Sequence, residues 1–189
     1  MSQQKPLGKT MPLFDFSNST LRLIRPMRLR SEKQLQRLVE QNLGSFFSCR
    51  FVATEFSRGM RRQWRIDTLA LSENDHPVII EYKLTESRTL LNQGLCYRTW
   101  LDDHRGDFEL AARQALGVKT RVDWGEIRLL CIAPSFSKYD LQAVQSIERR
   151  IELWSYQCFG KGILQLVPVF GGIRSKALGA PSGMSPRSL

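Results

Sequence analysis

The sequence is short of histidine, has no paired cysteines and contains no long apolar run. Its two histidines, His76 and His104, stand alone, one in a turn cluster and one beside a helix end, and neither is read as catalytic. The four cysteines, Cys49, Cys96, Cys131 and Cys158, lie far apart and form no CxxC pair, which is poor spacing for zinc and for a disulfide framework. They read as reduced, mostly buried small hydrophobes. No apolar stretch approaches the roughly 20 residues that span a bilayer. The first ten residues hold no apolar run of the kind a signal peptide needs. The expectation is a cytoplasmic protein with no membrane partner. No internal repeat is visible.

What is present is basic charge and enough apolar residues for a core. The chain has 189 residues, of which 42% are hydrophobic, so a single folded domain with short trimmings fits better than disorder. Lys and Arg number 28 against 18 acidic residues, a net charge of +10. A surplus of that size points to a polyanionic partner, of which nucleic acid is the commonest.

Three segments follow from the patterning. Residues 1–30 read as an N-terminal arm, with a small hairpin formed by Pro12–Phe16 and Leu21–Ile24 around a Ser/Asn turn. Arg25 to Arg30 reads as a basic connector. Residues 31–170 read as the core domain, and the Gly/Ser/Pro-rich residues 171–189 as a disordered tail. Within the core, Ser31 stands three before Gln34, the spacing of a capping box. Leu35, Leu38, Val39 and Leu43 then follow at helical spacing, with Gly44 as the stop. A strand is expected at Phe51–Phe56, helices at Glu86–Asp103 and Phe108–Leu116, a buried strand at Ile127–Ala133, a helix at Tyr139–Ile151 and a closing hairpin over Leu153–Phe170. This order predicts an α/β fold with a mixed central sheet flanked by helices.

The central hairpin carries the chemistry. Ile66–Leu71 and Pro77–Leu84 are β-rich runs joined by the turn cluster Ser72–His76. A turn centred on Asn74 sets Leu69 opposite Ile79 and Asp67 opposite Glu81. Paired residues project on one face with Cβ atoms roughly 5 Å apart, and Lys83 shares the face of Glu81 because strand side chains repeat every second residue. A one-residue slip would move Asp67 away. Apolar neighbours on both faces mark covered strands, where three charges are costly without a purpose. Two adjacent carboxylates repel, and a divalent cation resolves the conflict. Hard oxygen donors suit Mg²⁺, which makes a bound water nucleophilic and neutralises phosphate charge. Beside it, Lys83 is placed to orient the water or stabilise the transition state.

Arg65-Ile66-Asp67-Thr68-Leu69, a short linker, and Val78-Ile79-Ile80-Glu81-Tyr82-Lys83 resemble the D…ExK signature of the PD-(D/E)XK nucleases, with Ile66 where the name-giving proline would stand. Asn92 to Leu101 resembles the glutamine-bearing helix that follows the ExK strand in the branch related to archaeal mismatch-type endonucleases. Glu32 to Leu43 resembles that branch's first helix, which often donates an acidic residue. The resemblance spans residues 31–170 and implies a restriction-endonuclease-like fold. It also implies that Asp67, Glu81 and the Tyr82 carbonyl hold the metal, that Lys83 acts at the water and that Gln93 supports the site. Glu32 fits the position of the helix acid, with Glu40 as the alternative. Tyr97 and Trp100 read as core.

The expected activity is therefore that of a DNA endonuclease using Mg²⁺ or Mn²⁺. The alternative is a catalytically inactive nucleic-acid-binding module of the same fold. The complete Asp67/Glu81/Lys83 set favours the enzyme, because a pure binder gains little from carboxylates that repel phosphate. Arg58, Arg61, Arg62 and Arg65 precede the Asp67 strand and are expected to contact phosphates without reading sequence. A homodimer would suit cleavage of both strands of a duplex.

Overall fold

The computed structural model describes residues 11–17, 20–57, 64–147 and 150–171. Arg58, Arg61, Arg62 and Arg149 lie outside the described residues, as does the segment 172–189 expected to form a tail. Strands β1 (Leu13–Asp15) and β2 (Arg22–Ile24) form the small antiparallel hairpin, which pairs Phe14 with Leu23. Arg25–Arg30 is not merely a connector. Pro26 and Met27 form β3, which pairs with the end of the nine-residue strand β8 (Ile151–Phe159) through Phe159 and Cys158. Two residues carry too little alternation to betray a strand.

Helix α1 (Glu32–Glu40) begins at Ser31, whose hydroxyl accepts from the Gln34 amide at 3.2 Å. The expected reciprocal bond is displaced by one residue, since the Gln34 side chain accepts from the Arg30 amide at 3.0 Å. Gly44 does not stop the helical segment. The chain turns at Gln41 and Asn42, and a short α2 (Leu43–Phe47) contains Gly44 and ends at Ser48 in a left-handed conformation.

Strands β4 (Cys49–Phe56), β5 (Ile66–Ser72) and β6 (Pro77–Tyr82) form an antiparallel meander. Helices α3 (Leu90–Asp103) and α4 (Arg105–Leu116) then lead to β7 (Arg128–Ala133), which lies parallel to β6. Helix α3 starts four residues later than expected, and α4 starts earlier and includes Gly106. Helix α5 (Lys138–Gln145), capped by Ser137 and Asp140, is shorter than the expected 139–151. Ile151 is instead drawn into β8, where it pairs in parallel with Leu129 of β7. The hairpin closes with β9 (Ile163–Phe170), antiparallel to β8.

The result is a seven-stranded mixed sheet in the order β3-β8-β7-β6-β5-β4, with β9 also paired to β8. Helices flank both faces, in the α/β arrangement the sequence predicts. One core layer lies under α3, α4 and α5 and includes Leu69, Ile79, Leu129 and Leu101; the other lies under α1 and α2 and includes Leu35, Val39, Val78 and Ile80. All six residues of β6 are buried, which is why the strand reads as a continuous apolar run interrupted only by Glu81. No helix among the described residues is long and apolar enough to cross a membrane.

Candidate active site

The β5–β6 ladder pairs Thr68 with Ile80, Leu69 with Ile79 and Ala70 with Val78, the register set by a turn centred on Asn74. One step beyond Thr68 and Ile80, side chains take over the backbone bonds. The Asp67 amide donates to Glu81 Oε1 at 3.0 Å, and the Tyr82 amide donates to Asp67 Oδ2 at 3.2 Å. Each carboxylate therefore occupies an amide of the opposite strand, and the two acidic groups are strapped together at the end of the sheet. On the far side of β6, the Lys83 amide donates to the Ile132 carbonyl at 2.9 Å, which extends β6 along β7 and fixes the backbone from which Lys83 projects.

Burial sets the electrostatics. Glu81 is 0% exposed, and among the described residues its Oε2 has no hydrogen-bond partner. Its carboxyl is held well above the usual carboxylate range, first by loss of water and next by repulsion from Asp67. Burial likewise raises Asp67, opposed by the bond from the Tyr82 amide and by the charge of Lys83. The Lys83 ammonium is itself drawn towards Glu32, with Nζ 3.4 Å from Glu32 Oε2, while Glu32 Oε1 accepts from the Leu84 amide at 3.4 Å. The first residue of α1 thus meets the end of β6. Among the described residues, no group of three or more His, Cys, Asp or Glu side chains is gathered so as to hold a metal ion. A cation at Asp67 and Glu81 would complete its shell with main-chain, water or substrate oxygens.

Glu40, the alternative helix acid, belongs elsewhere. Its Oε1 accepts from Thr68 Oγ1 at 2.7 Å and from Gln36 Nε2 at 2.9 Å. Thr68 and Tyr82 project on the face opposite to Asp67 and Glu81, and their hydroxyls lie 3.2 Å apart. Gln36, which follows Leu35 in α1, is only 4% exposed. Its Nε2 lies 2.5 Å from the Asp67 carbonyl and 2.9 Å from Thr54 Oγ1, so α1 grips the backbone of Asp67 from behind. Its place between Leu35 and Val39 was the one available signal, but helical spacing cannot say that a flanking amide will be covered.

Gln93, near the start of α3, donates to the Tyr97 hydroxyl at 3.0 Å, and the same hydroxyl accepts from the Arg65 amide at 3.3 Å. Tyr97 is buried, as a core residue should be, yet its hydroxyl also ties α3 to the segment entering β5. Trp100 packs with Phe56 and stacks on His104, 4.2 Å between centroids, as part of the core rim. Arg65 lies two residues ahead of Asp67, is exposed, and pairs with Glu55 at 3.2 Å.

No family model matches the chain. A curated relative, an uncharacterized protein of Haemophilus influenzae, is 31% identical over 176 residues, covering 91% of this chain and 56% of the relative. The chain therefore spans about half the length of the curated relative it matches. Among solved structures, it is similar to EndoMS in complex with double-stranded DNA, at 14% identity and a TM-score of 0.48 over 69% of this chain and 47% of that one. It is also similar to EndoMS in apo form, at 16% identity and a TM-score of 0.45 over 68% and 48% of the two chains. A repair endonuclease from Pyrococcus abyssi matches at 12% identity and a TM-score of 0.39 over 67% and 48%. What the site can do rests on its own residues.

Proposed function

We propose that this chain is a metal-dependent endonuclease that hydrolyses phosphodiester bonds in DNA. The observation that carries the reading is the strapped pair of Asp67 and Glu81, with a buried Glu81 oxygen that has no partner among the described residues. A structural ion cluster would satisfy that oxygen, because a buried polar atom without a partner costs free energy. A divalent cation suits the donor set, which offers hard oxygens and excess negative charge. Asp67, Glu81 and the main-chain carbonyl of Tyr82 would hold Mg²⁺ or Mn²⁺. When bound, such an ion supplies a nucleophilic water at neutral pH and neutralises charge on the phosphoryl oxygens.

The chain's own groups do the rest. Lys83, held at the edge of the pair by Glu32, orients the attacking water and stabilises charge that develops on the phosphoryl group. Glu32 fixes the lysine and receives the Leu84 amide, which anchors α1 to the end of β6. Gln93 supports the site through Tyr97, whose hydroxyl also holds the backbone ahead of Asp67. Arg65, with Arg58, Arg61 and Arg62 earlier in the same segment, contacts phosphates and supplies affinity without sequence preference. The net charge of +10 agrees with a polyanionic substrate. Two copies related by a two-fold axis would place one site on each strand of a duplex.

The test is cleavage of linear, mismatched, branched and single-stranded DNA in EDTA, Mg²⁺ and Mn²⁺. Cleavage that needs the metal is expected. A protein that binds both metal and DNA yet cuts none of these substrates would instead be a non-catalytic binding module.

A further inference from the structure

Glu55 is unusual in both backbone and company. It lies within β4, between Thr54, which pairs with Thr68, and Phe56, which pairs with Ile66, so it stands opposite Asp67. Its φ is +49°, a left-handed conformation that residues other than glycine and asparagine adopt at a cost. Such conformations persist where surrounding contacts over-determine them, and they cluster at functional sites. The contacts here are two cations from two different elements. Lys33 Nζ lies 2.8 Å from Glu55 Oε1, and Arg65 Nη1 lies 3.2 Å from Glu55 Oε2.

Both cations adjoin residues of the candidate active site in sequence. Lys33 follows Glu32, the partner of Lys83, in α1. Arg65 precedes Asp67 by two residues, and its charge reaches the Asp67 carboxyl. The side chains of Lys33, Glu55 and Arg65 are 37%, 35% and 54% exposed, so solvent and a ligand can reach them. A single carboxylate cannot neutralise two cations. The three side chains together therefore keep a net positive charge.

We propose that Glu55 stands in for a substrate phosphate: it holds Lys33 and Arg65 in place beside the Asp67–Glu81 pair and yields them to a backbone phosphate of nucleic acid. A carboxylate and a phosphodiester each offer two terminal oxygens sharing one negative charge. The two non-bridging oxygens of a phosphate can thus take over one cation each. Until then Glu55 competes with the ligand. It keeps the two side chains ordered and lowers affinity for the wrong anion as well as the right one. The proposal rests on the phosphodiester reading of the site and adds a ligand contact, Lys33, together with a restraint on it.

The competition fixes the sign of the test. Binding of a labelled duplex is followed by anisotropy in EDTA over a range of salt, for wild type, Glu55→Gln, Glu55→Gly and Lys33→Ala/Arg65→Ala, and for the last combined with Glu55→Gln. The glycine variant suits the positive φ, and thermal unfolding confirms that each variant is folded. Loss of the carboxylate should tighten binding about threefold or more and steepen the salt slope by about one phosphate's worth. In the Lys33→Ala/Arg65→Ala background, Glu55→Gln should change nothing. A merely structural Glu55 would leave binding unchanged or weaken it, and that result in folded Glu55→Gln and Glu55→Gly overturns the proposal while wild type still binds. Wild type that shows no salt-dependent binding overturns the phosphodiester reading, and this proposal with it.

Discussion

Replacing Glu81 with Gln should stabilise the metal-free protein, although it removes a buried residue's charge from the centre of the proposed site. Glu81 Oε1 accepts from the Asp67 amide, and an amide oxygen can keep that bond. Among the described residues Oε2 is buried without a partner, and the carboxyl faces repulsion from Asp67. An unsatisfied buried group costs about 1–3 kcal/mol, and more when it carries a charge; the glutamine amide carries none, whereas Lys83 relieves the carboxylate pair only in part because Glu32 competes for its ammonium. Glu81→Gln should therefore raise stability by about 1–3 kcal/mol in EDTA at pH 8. For a chain of this size each kcal/mol moves Tm by about 2–4 °C.

The pH dependence follows from the raised carboxyl of Glu81. Its native pKa exceeds the unfolded one, so the native state holds the proton more tightly, and wild-type stability falls as pH rises from the ordinary value of 4.5 through the native value. The advantage of Glu81→Gln should accordingly vanish near pH 4.5 and grow above it. Metal reverses the order. At a hundredfold excess over Kd, a bound cation stabilises wild type by about 2.7 kcal/mol, and the variant by less. Thermal unfolding in EDTA and in Mn²⁺, at acid and alkaline pH, measures all four corners. A variant less stable than wild type in EDTA at pH 8 would show that the pair is already neutralised, and the case for a cation would fail.

Lys83→Ala should lower turnover by about a hundredfold or more while leaving Mn²⁺ affinity nearly intact, because its proposed work is on the water and the transition state; unchanged cleavage would remove Lys83 from the mechanism. Asp67→Asn should weaken metal binding by calorimetry by about tenfold or more, with only partial rescue of cleavage at raised metal concentration; equal affinity would sink the ligand assignment. Gly94→Ala would set a Cβ 2.7 Å from Leu129 Cδ1 and 2.9 Å from Cδ2, forcing α3 off β7 or the leucine out of its rotamer. A loss of about 1–3 kcal/mol is expected in denaturant titration, and an unchanged midpoint would mean that the leucine moves aside freely.

The parts of the fold that were legible in sequence are those where a local signal and a tertiary demand coincide. Ser72–His76 is a turn cluster, and the apolar residues on either side also have to face two core layers, so turn and burial select one register. The closing hairpin was legible for the same reason, with Lys161 and Gly162 at positive φ in its turn. Where the two demands part, the reading fails. Helical spacing continues past Gln145, yet Ile151 gains more by pairing with Leu129 in a buried parallel ladder than by extending a helix at the surface. Strand β3 exists only because β8 outlasts β7 and leaves Cys158 and Phe159 with an open edge.

The candidate site divides along the same line. A register says which side chains share a face, and so which charges must be reconciled, because strand geometry alone determines that. It cannot say how the ladder ends. Here the carboxylates replace the ladder bonds with two side-chain bonds, and that exchange makes Asp67 and Glu81 part of the sheet's own hydrogen bonding. Gln36 acts from α1 on Asp67, and Tyr97 and Glu55 act from α3 and β4 on Arg65 just ahead of β5, and no spacing within any one of those elements encodes it. Each grips the strand by its backbone or its neighbouring side chain while leaving the two carboxylates untouched. The acidic pair is thus held by groups that do not neutralise it, and burial leaves the pair to take up protons unless a cation comes from outside.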